Sequence, residues 1–366
     1  MRSQLTRTVT IGIGALLMLT LLAQSGCEAP YEPKQTAWGT PDISGLWDFR
    51  TLTPFERPEE FADKAVLTPE EAEAFRAQVI AAADVDNWDS EANVDVEGAY
   101  NTFWFDWGSQ LTDDLRTSLI VDPPNGRLPE ITPEAIARMK DQNANRTPPV
   151  RDFFSYSADV TEFRPEGPEN LGLSERCLVG FNAGPPLTPS AYNNNLRIVQ
   201  TPDYLVLVTE MIHDARIIPM DGRPHLPDGM RRWSGDARGH WEGNTLVIES
   251  TNFTDKTPTF QLPANLITAP DLGAVGVGAD MKLTERFTPT ADGRLRYEYT
   301  IDDPNTFVSP FTVAIPMRTA EGRMYEYACH EGNYAVPGIL KGARLLETEE
   351  AMGEEVGGGK AAGEAD

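Results

Sequence analysis

The strongest constraint on the fold is a pair of alternating segments that flank a tight turn in the last quarter of the chain. Over 281–288 every second residue is apolar, with Glu285 as the exception, and the alternation repeats over 295–302. Between them lies Ala291-Asp292-Gly293, a sequence typical of hairpin turns. Because successive side chains of a strand point to opposite faces, the pattern predicts an antiparallel hairpin with one buried face.

The same order of strand, turn and strand recurs elsewhere. Similar turn sequences adjoin apolar runs at Asn125-Gly126-Arg127, Asp221-Gly222-Arg223, Glu242-Gly243-Asn244 and Glu321-Gly322-Arg323. The last of these precedes a strand predicted over 325–329. The repetition predicts a mainly β protein, an antiparallel meander that forms a barrel or a sandwich.

Two short helices are predicted in the N-terminal third. Thr68-Pro69-Glu70-Glu71 supplies an N-cap, a first-turn proline and a returning glutamate, and an apolar stripe follows at Ala72, Phe75, Val79 and Ala83. Thr132-Pro133-Glu134 opens the second helix, with Ile136 and Met139 on its apolar face. We assign chemistry to neither helix.

The N-terminus has the features of a secretory signal, predicted over 1–26. Arg2 and Arg7 precede an apolar run over 11–23, which is too short to span a bilayer comfortably. Ser25-Gly26-Cys27 resembles the lipobox of bacterial lipoproteins, which implies acylation of Cys27. Gln24 departs from the leucine that the lipobox prefers, so simple cleavage and soluble export are the alternative. Glu28, in place of a retaining aspartate, favours the outer membrane over the inner membrane.

The remaining chain divides by composition. We predict a lipid-anchored flexible tether over 27–38, a single β-rich domain over 39–346 with 39–150 and 151–346 as candidate lobes, and a disordered acidic tail over 347–366. The formal charge of −25 argues against nucleic-acid binding, because it repels phosphate. Cys177 and Cys329 remain once Cys27 is acylated, and in an oxidising compartment they are predicted to form a disulfide, with two buried free thiols as the alternative.

Two further resemblances follow from longer motifs. Gly45-Leu46-Trp47 resembles the Gly-x-Trp that opens lipocalin-type barrels, where the tryptophan closes the barrel floor. The stretches 116–124, 235–243 and 325–334 resemble a large family of uncharacterised exported proteins from environmental bacteria. That second resemblance implies export and carries no assigned activity.

The candidate catalytic groups are histidines and carboxylates. His213, His225 and His330, with Asp214 or Glu331, are candidates for one acid/base pocket, or for a zinc site with an open position. No compact metal motif is present, so no cofactor is required. Continuous strand parity would place His213 on the face of Leu205, Leu207, Met211 and Ile217, with Glu210, Asp214 and Arg216 on the opposite face. The alternative is a histidine that is buried and hydrogen-bonded to the backbone, with Asp214 and Arg216 paired on one face.

Glu285 is a separate candidate, because it lies on the apolar face of its strand, where hairpin pairing would set it near Tyr297 or Tyr299. A buried carboxylate is either a general acid or the partner of a buried arginine, and a position at the rim of the sheet near the strand end is a further alternative. Trp104 and Trp107, with the same two tyrosines, are candidate ligand-binding aromatics; packing between a loop and the sheet is the alternative.

Three functions are consistent with these features. The first is an exported, outer-membrane-anchored lipoprotein that binds a small apolar molecule or a glycan fragment. The second is a secreted hydrolase or lyase that uses the histidine and carboxylate groups. The third is a non-catalytic envelope scaffold that binds another protein.

Overall fold

The computed structural model describes residues 31–83, 103, 105–144, 165–171, 173–180, 182–255 and 278–361. The predicted signal, the lipidation site Cys27 and Trp104 lie outside these residues. The body of the chain begins at Pro33. None of the described helices combines the length and the apolar composition that crossing a bilayer requires.

The described residues form a mainly antiparallel β structure. Its strands are β1 (Gly45–Asp48), β2 (Ile120–Asp122), β3 (Asn195–Gln200), β4 (Tyr204–Thr209), β5 (Ala215–Pro219), β6 (Asp236–Glu242), β7 (Thr245–Thr251), β8 (Lys282–Ala291), β9 (Arg294–Asp302) and β10 (Phe311–Thr319). The order across the sheet is β5-β4-β3-β1-β10-β9-β8-β7-β6, and β2 pairs with β10. The predicted meander is therefore confirmed.

The sheet curls into a nearly closed barrel, because its two edge strands, β5 and β6, approach each other. Met220 and Ile218 pack directly against the α-carbon of Gly239 on β6. A side chain at position 239 would collide with Met220, so the glycine lets the two edges close the seam. The sheet order itself has no hydrogen-bonded ladder between β5 and β6.

The barrel interior holds the main hydrophobic core. The predicted hairpin is β8 and β9, in which Glu285 pairs with Tyr299 and Phe287 with Tyr297. Inward positions of several strands join one cluster of buried apolar side chains, including Leu196, Ile198, Leu283, Phe287, Tyr297, Tyr299, Val313 and Ile315. Trp47 of the Gly-x-Trp motif joins the same cluster and donates from Nε1 to the carbonyl of Ile43 at 2.9 Å.

Three α-helices accompany the barrel within the described residues: α1 (Pro69–Ala82), α2 (Pro133–Ala144) and α3 (Ala335–Ala361). The first two confirm the predicted helices. In α1 the Thr68 hydroxyl accepts from the Glu71 N–H, and the Glu71 carboxylate accepts from the Thr68 N–H, which completes the capping box. Ala72 and Phe75 pack in a second small cluster, while Met139 of α2 joins the main core.

The structure differs from the sequence predictions at the C-terminal end. Residues 325–329, predicted as a strand, have no regular structure and leave Tyr325 exposed to solvent. Helix α3 covers 347–361, which composition assigned to a disordered tail. Alanine and glutamate favour the helix locally even where few apolar residues can be buried, and composition alone misses this effect.

The N-terminal boundaries also differ. Gln35 bridges to Pro41, so regular structure begins inside the range predicted as tether. Strand β1 lies between β3 and β10, which ties the first candidate lobe into the sheet of the second.

Candidate functional site

A buried ion pair crosses the barrel interior. Glu285 of β8 has no exposed surface, and its two carboxylate oxygens accept from Nη1 and Nη2 of Arg216 at 3.0 and 2.6 Å. Arg216 comes from β5 at the far edge of the sheet, so the pair links two strands that are not neighbours. This parallel, two-pronged geometry is the strongest form of an arginine–carboxylate contact.

Neighbouring groups add further hydrogen bonds to the pair. The Tyr297 hydroxyl donates to Glu285 Oε1 at 2.8 Å and accepts from the Leu187 N–H at 3.1 Å. Nη2 of Arg216 also contacts Ser250 Oγ at 3.3 Å. We name Arg216, Ser250, Glu285 and Tyr297 the interior polar cluster. These bonds satisfy most polar atoms of the cluster, although Nε of Arg216 has no hydrogen-bond partner among the described residues, and the cluster can remain buried among apolar side chains.

The surroundings of Arg216 and Tyr297 determine which of the two is charged. Burial acts to lower the pKa of Arg216, but the attraction of Glu285 outweighs it and the pKa lies above its ordinary value. Burial, followed by the negative charge of Glu285, raises the pKa of Tyr297 well above its ordinary value. Arg216 is therefore charged and Tyr297 neutral near neutral pH. In this geometry Glu285 is the partner of a buried arginine, which is one of the interpretations that its place on the apolar face of the strand allowed.

The pairing with Arg216 overturns the predicted strand parity. Continuous alternation placed Arg216 opposite Leu205 and Leu207, but β4 ends at Thr209 and a short 3₁₀ turn, Met211–His213, reverses the chain. Ile212 in this turn has a φ of 60°, in the left-handed region. After the turn β5 runs back along β4, with Arg216 opposite Leu207. Arg216 consequently points inward and Ile217 outward.

The structure does not bring the other catalytic candidates together. The His213 side chain lies outside what the structure describes. Asp214 accepts from Ser234 Oγ at 3.4 Å, and His225 Nδ1 lies 3.1 Å from Asp236 Oδ2. His330 and Glu331 are exposed. Among the described side chains no group of three or more histidines, cysteines and carboxylates could hold a metal ion.

Asp236 was not a sequence candidate, and it organises the loop that precedes β6. Besides His225, its carboxylate accepts from the Leu226 N–H at 2.9 Å and from Arg238 Nη1 at 2.9 Å. Burial acts to raise the pKa of Asp236, but these hydrogen bonds outweigh it and the pKa lies below its ordinary value. The partners hold the loop in place.

The predicted disulfide is present. Cys177 and Cys329 are bonded, with their α-carbons 5.9 Å apart. The Asn333 side chain donates to the Glu175 carbonyl at 2.7 Å, so the two chain segments adjoin as expected. Tyr327 and Cys329 pack on a small buried cluster that contains Met211 and Ile212.

Three of the four candidate ligand-binding aromatics are described, and they pack in the hydrophobic clusters; Trp104 lies outside the described residues. Tyr297 and Tyr299 are fully buried. Trp107 stacks on Phe105 with 6.0 Å between ring centroids and packs against the α1 cluster. This arrangement matches the packing alternative.

An open cleft lies at one end of the barrel, where β7 and β9 end and where β8 and β10 begin. Its volume is about 460 Å³. Its lining includes Thr132, Glu134, Arg138, Asp255, Gly278 and Asn305. This site could not be predicted from the sequence, because its residues come from four separate segments and share no motif.

Hydrogen bonds of Asp303 and Arg138 hold the walls of the cleft. The Asp303 carboxylate accepts from the Gly278 N–H at 2.6 Å and from the Asn305 N–H at 3.2 Å, which joins two walls. Arg138 of α2 donates to the Asn305 carbonyl and to the Thr306 hydroxyl at 3.2 and 3.0 Å. The cleft is therefore a preformed site with hydroxyl, amide and carboxylate groups at its surface.

Among known proteins, similarity to this chain is found in solved structures. No protein-family model matches the chain. No curated protein matches it either. Crystal structures of two mutants of the fluorescent protein UnaG are similar to parts of it. The first is 14% identical with a TM-score of 0.20, over 34% of this chain and 70% of that one. The second is 12% identical with a TM-score of 0.21, over 41% of this chain and 86% of that one.

Proposed function

We propose that this protein binds a small, neutral, hydroxyl-rich molecule, such as a glycan fragment, in the cleft at the end of its barrel. The observation that carries the proposal is the cleft itself. Its volume of about 460 Å³ lies within the range of known small-molecule sites, roughly 300–1,000 Å³. Its walls are held by buried contacts of Asp303 and by Arg138, so the site needs little ordering when a ligand enters.

The lining favours a polar ligand over a charged one. Glu134 and Asp255 supply acceptors, Arg138 supplies donors, and Thr132 and Asn305 supply groups that both donate and accept. Charges of both signs discourage a ligand that carries only one. Hydroxyl groups can donate to the carboxylates and accept from the arginine, which is the pairing that a sugar offers.

An apolar ligand in the barrel interior is less well supported. At the level of Glu285 the described inward side chains are fully buried and pack against one another, and Leu187 reaches Tyr297 from the loop before β3. A ligand there would have to displace the core. We therefore propose the cleft, and not the barrel interior, as the binding site.

Binding in the cleft is tested by thermal unfolding in the presence of neutral oligosaccharides. A ligand selective for the folded state stabilises it by about 2.7 kcal/mol at a hundred times its Kd, so the melting temperature should rise. Asn305→Trp, which places a ring in the cleft, should abolish the rise. Glu321→Trp, an exposed substitution just after β10 and at the other end of the barrel, should keep it. An equal rise in both variants would place binding elsewhere, and no rise across the oligosaccharides would exclude this ligand class.

We also propose that the chain is exported and acylated on Cys27, and that it resides at the outer membrane. The support is the leader and the lipobox-like sequence, together with a disulfide that persists in oxidising compartments. Mass spectrometry of protein purified from bacterial membranes should give an N-terminal peptide that begins with acylated Cys27. A peptide that retains Met1 would exclude export, and an unmodified Cys27 terminus would exclude the anchor.

A further inference from the structure

The outer face of three barrel strands is largely apolar. Alternate residues of β3, β4 and β5 point away from the core, and Val199, Val206 and Ile217 form one row across the three strands. Ile217 is 66% exposed, Val199 42% and Tyr204 38%. The next row is Arg197, Val208 and Ala215, so one charged side chain borders the apolar residues on β3. We name Val199, Tyr204, Val206, Val208, Ala215 and Ile217 the β3–β5 outer face.

The opposite part of the barrel shows how unusual this face is. The outward positions of β8 and β9 are polar or charged, as solvent-facing strands normally are, and include Lys282, Thr284, Arg286, Arg296 and Glu298. Both faces belong to one sheet in a chain of net charge −25. A contiguous exposed apolar area in such a chain marks a surface that another phase or molecule covers.

The chain enters the barrel beside this face. The Gln200 side chain, next to Val199 at the end of β3, accepts from the Ile43 N–H at 2.7 Å and donates to the Pro41 carbonyl at 3.0 Å. The segment that arrives from the proposed tether is thus fixed to the margin of the β3–β5 outer face. Trp38, 43% exposed, lies in this same segment.

The tether is short. From Cys27 to the start of the body at Pro33 the chain can extend at most about 20 Å, at roughly 3.5 Å a residue. An acyl chain on Cys27 would therefore hold the margin of the apolar face close to the bilayer surface.

We propose that the β3–β5 outer face, with Trp38, rests on the interfacial region of the bilayer that holds the lipid anchor; this rests on the proposed acylation of Cys27. Tryptophan and tyrosine prefer this region, because their rings are apolar and their polar groups reach water. Arg223 stacks over the Tyr204 ring, 5.8 Å from its centroid, and can extend toward the headgroups. The surface is expected to bind zwitterionic lipid, because the net charge of the chain opposes anionic lipid.

The test attaches the protein to a membrane through an N-terminal tag, so it does not depend on acylation of Cys27. The chain from 27 to 366, with Cys27→Ser and an N-terminal hexahistidine tag, is bound to phosphatidylcholine vesicles that contain a nickel-chelating lipid. A polarity-sensitive dye is attached at Ile217→Cys or, as the matched control, at Lys282→Cys on the charged face. At position 217 the emission should rise several-fold on tethering and be quenched by nitroxide lipids, and at position 282 it should not change. Val199→Ser with Tyr204→Ser should reduce the rise at 217.

Two results would overturn the proposal. Equal emission at both positions on vesicles would show that the face remains in water. A dye at 217 that is already shielded without vesicles, in a protein that sediments as a dimer, would show that a second copy covers the face. Failure of Cys27 acylation would appear only in the mass of the N-terminal peptide and leaves this experiment intact.

Discussion

Glu285→Gln is expected to lower the free energy of unfolding by about 3–5 kcal/mol, because it leaves the buried guanidinium of Arg216 without a counter-charge. The substitution keeps the size of the side chain, so the loss reports charge and not a cavity. Urea unfolding followed by tryptophan fluorescence measures it. A loss below about 1 kcal/mol would mean that water reaches Arg216 and that the pair is not buried in solution.

Two variants separate the charge from the packing. Arg216→Met with Glu285→Leu removes both charges together, and its stability should return to within about 1–2 kcal/mol of the parent chain, since apolar replacements of a buried pair are often tolerated. Arg286→Met, which breaks the exposed pair with Glu242, is the matched control and should cost no more than about 1 kcal/mol. A double variant as unstable as Glu285→Gln would locate the effect in side-chain packing.

Cys177→Ser with Cys329→Ser is expected to cost about 2–5 kcal/mol, because the disulfide closes a loop of 152 residues in the unfolded chain. The bridge also fixes its own surroundings, so local order near it should be lost in addition to this global stability. Residues 325–334 form no strand, and the described contacts that hold them include Cys329 and the Asn333 side chain. Hydrogen exchange in this segment should therefore accelerate far more than exchange in β8 and β9.

Chemical reduction provides the control for this prediction. Dithiothreitol should lower the melting temperature of the parent chain to that of the serine variant and leave the variant unchanged. Reduction that does not alter the parent chain, or exchange that accelerates equally throughout the barrel, would contradict a local role for the bridge.

Much of the barrel could be predicted because its signals are local. The alternation over 281–302 fixes the register of β8 and β9, since a shift by one residue would turn the apolar side chains into solvent. The capping sequences at Thr68 and Thr132 likewise mark the starts of α1 and α2. In each case a few adjacent residues carry the whole signal.

The sites could not be predicted because they depend on distant residues. Arg216 faces Glu285 only because the chain reverses at Ile212, and isoleucine gives no sign that it will adopt a left-handed conformation. The cleft joins residues from α2, the end of β7 and two other loops, which no spacing rule connects. His225 and His330 were grouped by residue type, and their described partners lie in different parts of the fold.

The position of β1 has a consequence for the order in which the chain can mature. Trp47 of this early strand pairs with Thr319 of the last one, so a ribosome must complete nearly the whole sequence before the sheet can be assembled. Pairings so remote in sequence also form slowly. A newly made chain thus stays open long enough to be threaded through a narrow pore, as the proposed export would require.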